Sequence, residues 1–112
     1  METFAPATLE SAEPIEGVHL TPVATGEEMS AHWFDIEPGA VVPEHDHPHE
    51  QFGFVHQGEL TFAVGGERIV VSAGQGFAIP GGEPHRAENT GDSSVYGMDV
   101  FAPPREFEYW SE

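Results

Sequence analysis

Thirteen glycines and ten prolines are spread through 112 residues, and from Val18 onward they leave only short apolar segments between them. Punctuation that close breaks up helical periodicity and is the pattern of a sandwich or barrel built from many strands. The clearest local unit is Glu59-Leu60-Thr61-Phe62-Ala63-Val64, then Gly65-Gly66, then Glu67-Arg68-Ile69-Val70-Val71. It reads as strand, two-residue turn, strand, with Gly-Gly supplying the positive φ angles that a primed hairpin turn demands. Leu60, Phe62 and Val64 fall on one face, and Glu59, Thr61 and Ala63 on the other. Residues 95–101 form a second alternating strand, stopped by Pro103-Pro104. Residues 1–17, rich in Pro, Ala and Glu without periodicity, read as an N-terminal arm or short edge strand. That leaves 18–112 as a single all-β domain, and a chain of this length supports one core.

Composition then removes whole classes of function. Twenty acidic residues stand against three arginines (Arg68, Arg86, Arg105) and no lysine, for a net charge of −17. Nucleic acid is excluded as a partner, because phosphate neutralisation needs clustered Lys and Arg. Such a surface repels itself at low salt, whereas in molar salt, where the Debye length is about 3 Å, that repulsion costs little. The expectation is a protein of halophilic type. The N-terminus is acidic where a secretory signal would be basic, and no run approaches the roughly 20 apolar residues of a membrane span. The sequence is therefore read as cytoplasmic. With no cysteine, any metal must be held by imidazole, amide or carboxylate.

Three of the seven histidines, His45, His47 and His49, fall within five residues and run into Glu50 and Gln51. On an extended segment His45 and His47 are i and i+2 and project from one face, which is how one strand gives a metal two nitrogens. Taken alone, the pair is equally a polar, His-rich turn. His19, His32 and His56 stand outside any pattern.

The surroundings carry more. Gly39-x5-His45-x-His47-x3-Gln51-x6-Gly58 is followed by Gly74-x5-Pro80-x-Gly82-x2-His85-x3-Asn89. In order and spacing these resemble the two motifs of the cupin superfamily, with Gln51 where that family usually has Glu. The resemblance implies a double-stranded β-helix, or jelly-roll, barrel holding one divalent metal on His45, His47, Gln51 and His85. Three imidazoles and a neutral amide leave the ion's +2 charge uncompensated, which favours Lewis-acid chemistry over dioxygen activation. This donor set accepts Zn, Ni, Mn, Fe or Cu. Glu50 is one residue early for the family spacing and would face away from Gln51.

Asp99 shares a strand face with Val95, Gly97 and Phe101. It is either one more solvated acid or a carboxylate inside the barrel, and the second placement is costly without a partner. His-Pro-His-Glu-Gln (47–51) and Asp-x-Phe-x-Pro-Pro-Arg (99–105) together resemble the small uronate-linearising cupins of pectin and alginate catabolism. That resemblance implies an isomerase opening 4,5-unsaturated monouronates to the linear keto acid. It assigns proton transfer to Asp99, grip on the substrate carboxylate to Arg105 and the pocket wall to Phe101. In so acidic a chain an anionic substrate must be attracted locally, by the metal and Arg105, with Arg86 beside His85 a further candidate cation. The alternatives are a metal-dependent dioxygenase and a non-catalytic module binding a small ligand. A barrel this small exposes edges and apolar faces, so a homodimer is expected, through aromatics such as Trp33, Phe107, Tyr109 or Trp110. Those same aromatics could instead pack within the chain.

Overall fold

The computed structural model describes residues 1–105, so Phe107, Tyr109 and Trp110 lie outside the described residues. Ten strands follow in order: β1 (Ala12–Ile15), β2 (Val18–Thr25), β3 (Ser30–Ile36), β4 (Val41–His45), β5 (Glu50–Gln57), β6 (Glu59–Val64), β7 (Glu67–Ser72), β8 (Gly76–Ile79), β9 (His85–Glu88) and β10 (Val95–Ala102). A 3-10 turn at Pro6–Thr8 is the only helical element among the described residues, and none of them forms a helix long and apolar enough to cross a membrane. The strands make two antiparallel sheets, ordered β1-β2-β3-β10-β5-β8 and β4-β9-β6-β7. Packed face to face, they form the jelly-roll barrel.

The hairpin forms as its sequence requires. Val64 pairs with Glu67, and both turn glycines have positive φ, 56° and 82°. Alternation sets the core: Val18, Leu20, Phe34, Val55 and Val95 of the larger sheet meet Val42, Leu60, Phe62 and Val71 of the smaller. The first two rows across β2, β3 and β10 (Val18–Ile36–Val95 and Leu20–Phe34–Gly97) are apolar. The next two change character, with Asp99 between His32 and Gly53, then Phe101 between Ser30 and Gln51. One end of the barrel interior is hydrocarbon and the other is polar.

Gly97 sets the spacing between these halves. A Cβ there would lie 2.2 Å from the Phe54 carbonyl oxygen and 2.3 Å from the Phe34 ring, so the aromatic ring occupies the place of the missing side chain. Overpacking of a filled core typically costs about 1–3 kcal/mol. Gly97→Ala is accordingly expected to lower the unfolding free energy measured in urea by an amount in that range, and an unchanged value would show that the Phe34 ring is free to move aside.

Candidate metal centre

The histidine pair does not share a strand. His45 is the last residue of β4 and His47 lies in the connection to β5, so they converge by a turn of the chain rather than by strand alternation. The second motif closes on the same point, because the Gly82 amide donates to the His47 carbonyl at 2.8 Å, beside His85 at the start of β9. Asn89, fully buried, holds that motif's far end by donating to the carbonyls of Ile36 and Ser93 at 2.9 and 2.8 Å.

Candidate ligand atoms of His45, His47 and His85 all lie within 4.8 Å of one another. Each ring has its Nδ1 on a backbone carbonyl: His45 on Pro43 at 3.0 Å, His47 on His49 at 3.0 Å and His85 on Glu83 at 2.8 Å. Those bonds fix the tautomer that leaves Nε2 as the lone-pair nitrogen, as a hydrogen bond to the other ring nitrogen does for metal-bound imidazoles. Burial, reinforced by the Arg105 and His85 charges, holds the His47 pKa down to about 4, so its ring is neutral near pH 7.

Gln51 completes the arrangement. Its amide nitrogen donates to Asp99 Oδ1 at 3.1 Å, which turns its oxygen toward His47 Nε2, also at 3.1 Å. With Nδ1 of His47 already donating, that Nε2 and the amide oxygen are two acceptors aimed at each other. They lack a proton to share, and a divalent cation between the four donors satisfies both. The residues present therefore fit the metal expected from the sequence.

Asp99 stands inside the barrel, and burial pushes its pKa up to about 7, against the smaller lowering effects of the Gln51 hydrogen bond and the Arg105 charge. It borders, with His45, Gln51 and His85, a cavity of about 40 Å³ closed at its far end by Leu20, Phe34 and other apolar side chains. That volume holds roughly three waters, so a sugar-sized molecule must engage the polar end from the barrel mouth.

Phe101, 1% exposed, does not border that cavity. Its ring lies 5.3 Å from His32, 5.6 Å from His47 and 6.2 Å from His49, with the Arg105 guanidinium carbon 5.0 Å from its centroid. Arg105 is brought in by its backbone: its amide donates to Ser30 Oγ at 2.8 Å, and the carbonyls of Arg105 and Pro104 bond to His32 and His49. Glu50 is exposed and Arg86 pairs with Glu88 at 3.0 Å, so neither joins the site. His32 does join it, although the sequence places it in no motif. The available signal was the alternation of β3, where Ser30, His32, Phe34 and Ile36 share the buried face.

The cupin domain family matches residues 32–101, a span that takes in both motifs and most of β10. The chain belongs to the cupin family. Its structure is similar to that of KdgF from Halomonas sp., with a TM-score of 0.85 and 26% identity over 97% of this chain and 98% of that one. An RmlC-like cupin from Shewanella frigidimarina matches with a TM-score of 0.83 and 27% identity over 95% of each chain. Among curated proteins, polyketide synthase CurC from Streptomyces cyaneus is 36% identical over 89 residues, 75% of this chain and 58% of that protein. The cupin chain thus spans little more than half the length of that relative.

His32 gives the barrel a measurable pH dependence. Burial first, then the Arg105 charge, lowers its pKa from 6.5 to about 4. An unfolded chain takes up this proton near pH 6.5 and the folded one only near 4, so the stability held above 6.5 is lost as pH falls through that window. At 1.36 kcal/mol per pKa unit, the loss assigned to His32 is on the order of 3 kcal/mol. Urea unfolding of metal-free protein at pH 7.5 and pH 4.5 is expected to show a smaller decline for His32→Asn than for the parent. Equal declines would place the acid sensitivity elsewhere.

Proposed function

We propose that His45, His47, Gln51 and His85 hold one divalent metal ion and that the site isomerises a small polar carboxylate, a 4,5-unsaturated monouronate being the substrate class favoured. The observation carrying this reading is the pair of opposed acceptors, His47 Nε2 and Gln51 Oε1 at 3.1 Å, beside a carboxyl group whose pKa lies at about 7. A bound divalent ion would supply Lewis-acid polarisation of substrate oxygens. The chain supplies the rest. Asp99, poised near neutrality, can both release and accept a proton, as ring opening and ketonisation require. Arg105 offers a cation for the substrate carboxylate, and Phe101 keeps that guanidinium and three histidine rings in place. Support comes from the uronate-linearising resemblance of residues 47–51 and 99–105. The donor set contains no carboxylate, which disfavours a dioxygenase. A second reading, a role in polyketide synthesis, is favoured by the 36% identity to the polyketide synthase CurC.

The test is NMR product analysis after incubating metal-loaded protein, at high salt, with unsaturated monogalacturonate and its alginate-derived counterpart. Linear keto acid should form well above the spontaneous rate and cease on chelation. Asp99→Asn should keep one equivalent of metal while losing about 10²- to 10⁴-fold in turnover, the usual worth of general acid–base catalysis. No acceleration with metal demonstrably bound would overturn the substrate assignment and move the search to polyketide substrates. Activity retained in Asp99→Asn would remove the proton-transfer role.

We also propose that two copies associate through the outer face of the larger sheet. Phe52, Phe54 and Met98, respectively 55%, 48% and 38% exposed, lie on neighbouring strands there, with Met98 opposite Phe54 and Val100 opposite Phe52. These four side chains are apolar in a chain of net charge −17, with Glu50 at the edge of the patch beside Phe52, so two copies can meet on them with less repulsion than elsewhere on the surface. Trp33 packs within the chain, stacked on Tyr96. Phe54→Glu is expected to convert a dimer into a monomer in light scattering. A parent that is monomeric, or a variant that stays dimeric, refutes this interface.

A further inference from the structure

On the outer face of the larger sheet, away from the histidine cluster, the N-terminal arm and strands β2, β3, β5 and β10 border an open groove of about 620 Å³. Its wall is aromatic: Trp33 and Tyr96 are stacked with centroids 6.4 Å apart and planes 20° from parallel, and His56 flanks Trp33 at 6.2 Å. Asp35 lies between His19 and Tyr96 in the strand register and lines the same groove. Its Oδ1 is buried and accepts no hydrogen bond.

A buried carboxylate oxygen without a donor costs free energy, so its retention calls for a partner. The described chain offers that oxygen no hydrogen-bond donor, only the electrostatic attraction of His19. It has no lysine, Arg86 is paired with Glu88 on β9, Arg105 is inside the barrel and Arg68 sits on β7 of the other sheet. His19, which faces Asp35, is engaged by Glu37. Glu13 and Glu37 add negative charge beside His19, which turns away anions such as the sugar acid proposed for the barrel. Carboxylate, electron-rich rings and negative surroundings together select a cation that carries N–H donors.

We propose that this groove binds a small organic cation, an alkylammonium or guanidinium compound, with its charged head on Asp35 and its body against Trp33 and Tyr96. The site is on the opposite face of the sheet from His45, His47 and His85, so it stands or falls independently of the metal-site reading.

The experiment is an NMR titration of the full chain at constant ionic strength with methylguanidinium, putrescine and tetramethylammonium. The Trp33 indole signal is assigned through Trp33→Phe. Expected is a saturable one-to-one shift of the Trp33 and Tyr96 signals with methylguanidinium or putrescine, weakened at least tenfold in Asp35→Asn. Tetramethylammonium, a cation without N–H donors, should bind more weakly than either. Should Asp35→Asn fail to fold, Trp33→Leu serves in its place with the same expected weakening. The proposal is overturned by shifts that do not saturate, by equal response in the folded variant, or by tetramethylammonium binding as tightly, since each means ions drawn only by net charge or ring contact. It is likewise overturned if the Trp33 signal follows protein concentration rather than added cation, which would assign the groove to a second copy of the chain.

Discussion

A polar group inside a β-barrel is tolerable only when its hydrogen-bonding capacity is met, and that requirement organises the interior of this protein. The two apolar rows at one end need nothing but complementary shape. At the other end Gln51 is the linking residue. Its amide nitrogen engages Asp99 and its oxygen faces His47, so the orientation of one side chain ties the proton-bearing group to the candidate metal ligands. The three Nδ1-to-carbonyl bonds around it aim the imidazoles. Each of those carbonyls lies two residues from its ring, so the chain turns that bring the histidines together also orient them.

The segment after β10 depends on the same logic. Arg105 is 4% exposed, an unusual burial for a cation, and it is held through its backbone by Ser30 and His32 while its guanidinium lies over Phe101. Its charge acts on His32, His45, His47, His49 and Asp99 alike, pressing each toward its less protonated form. A neutral imidazole is what a metal ligand requires. Burial and the arginine therefore work in one direction for the histidines. For Asp99 they oppose each other, burial being the larger, and the carboxyl comes to rest at about 7.

The acidity of the chain bears on surfaces more than on the site. Self-repulsion disfavours association through acidic surface and leaves apolar patches, such as that around Phe54, as the faces where it is weakest, and negative surroundings favour cations where an aromatic wall and an acid coincide, as at Trp33 and Asp35. The two features adjoin on one sheet face, where Trp33, Met98 and Phe54 lie in a single row, and the alternation that buries Phe34 and Gly97 is what exposes them. An inner face shaped by packing thus leaves an outer face free to carry separate chemistry.

Much of this was legible in the linear chain. Strand alternation, the Gly65-Gly66 turn and the spacing of two motifs are local properties. They sufficed for the all-β class and the hairpin register, and the family resemblance they carry singled out His45, His47 and His85; for Asp99 they left a solvated and an inward placement open. Tertiary structure decided the rest, because it turns on which strands become neighbours. His32 enters the site only through its register with Asp99 across β3 and β10, and Arg105 only through Ser30, 75 residues away. Phe101 becomes a support for the histidines because it lies between β3 and β5. Trp33 and Asp35 face a groove only once β2 and β10 flank them and the N-terminal arm lies across. Spacing along a chain records which residues share a face; which faces meet depends on pairings between distant segments, set by the packing of the whole barrel.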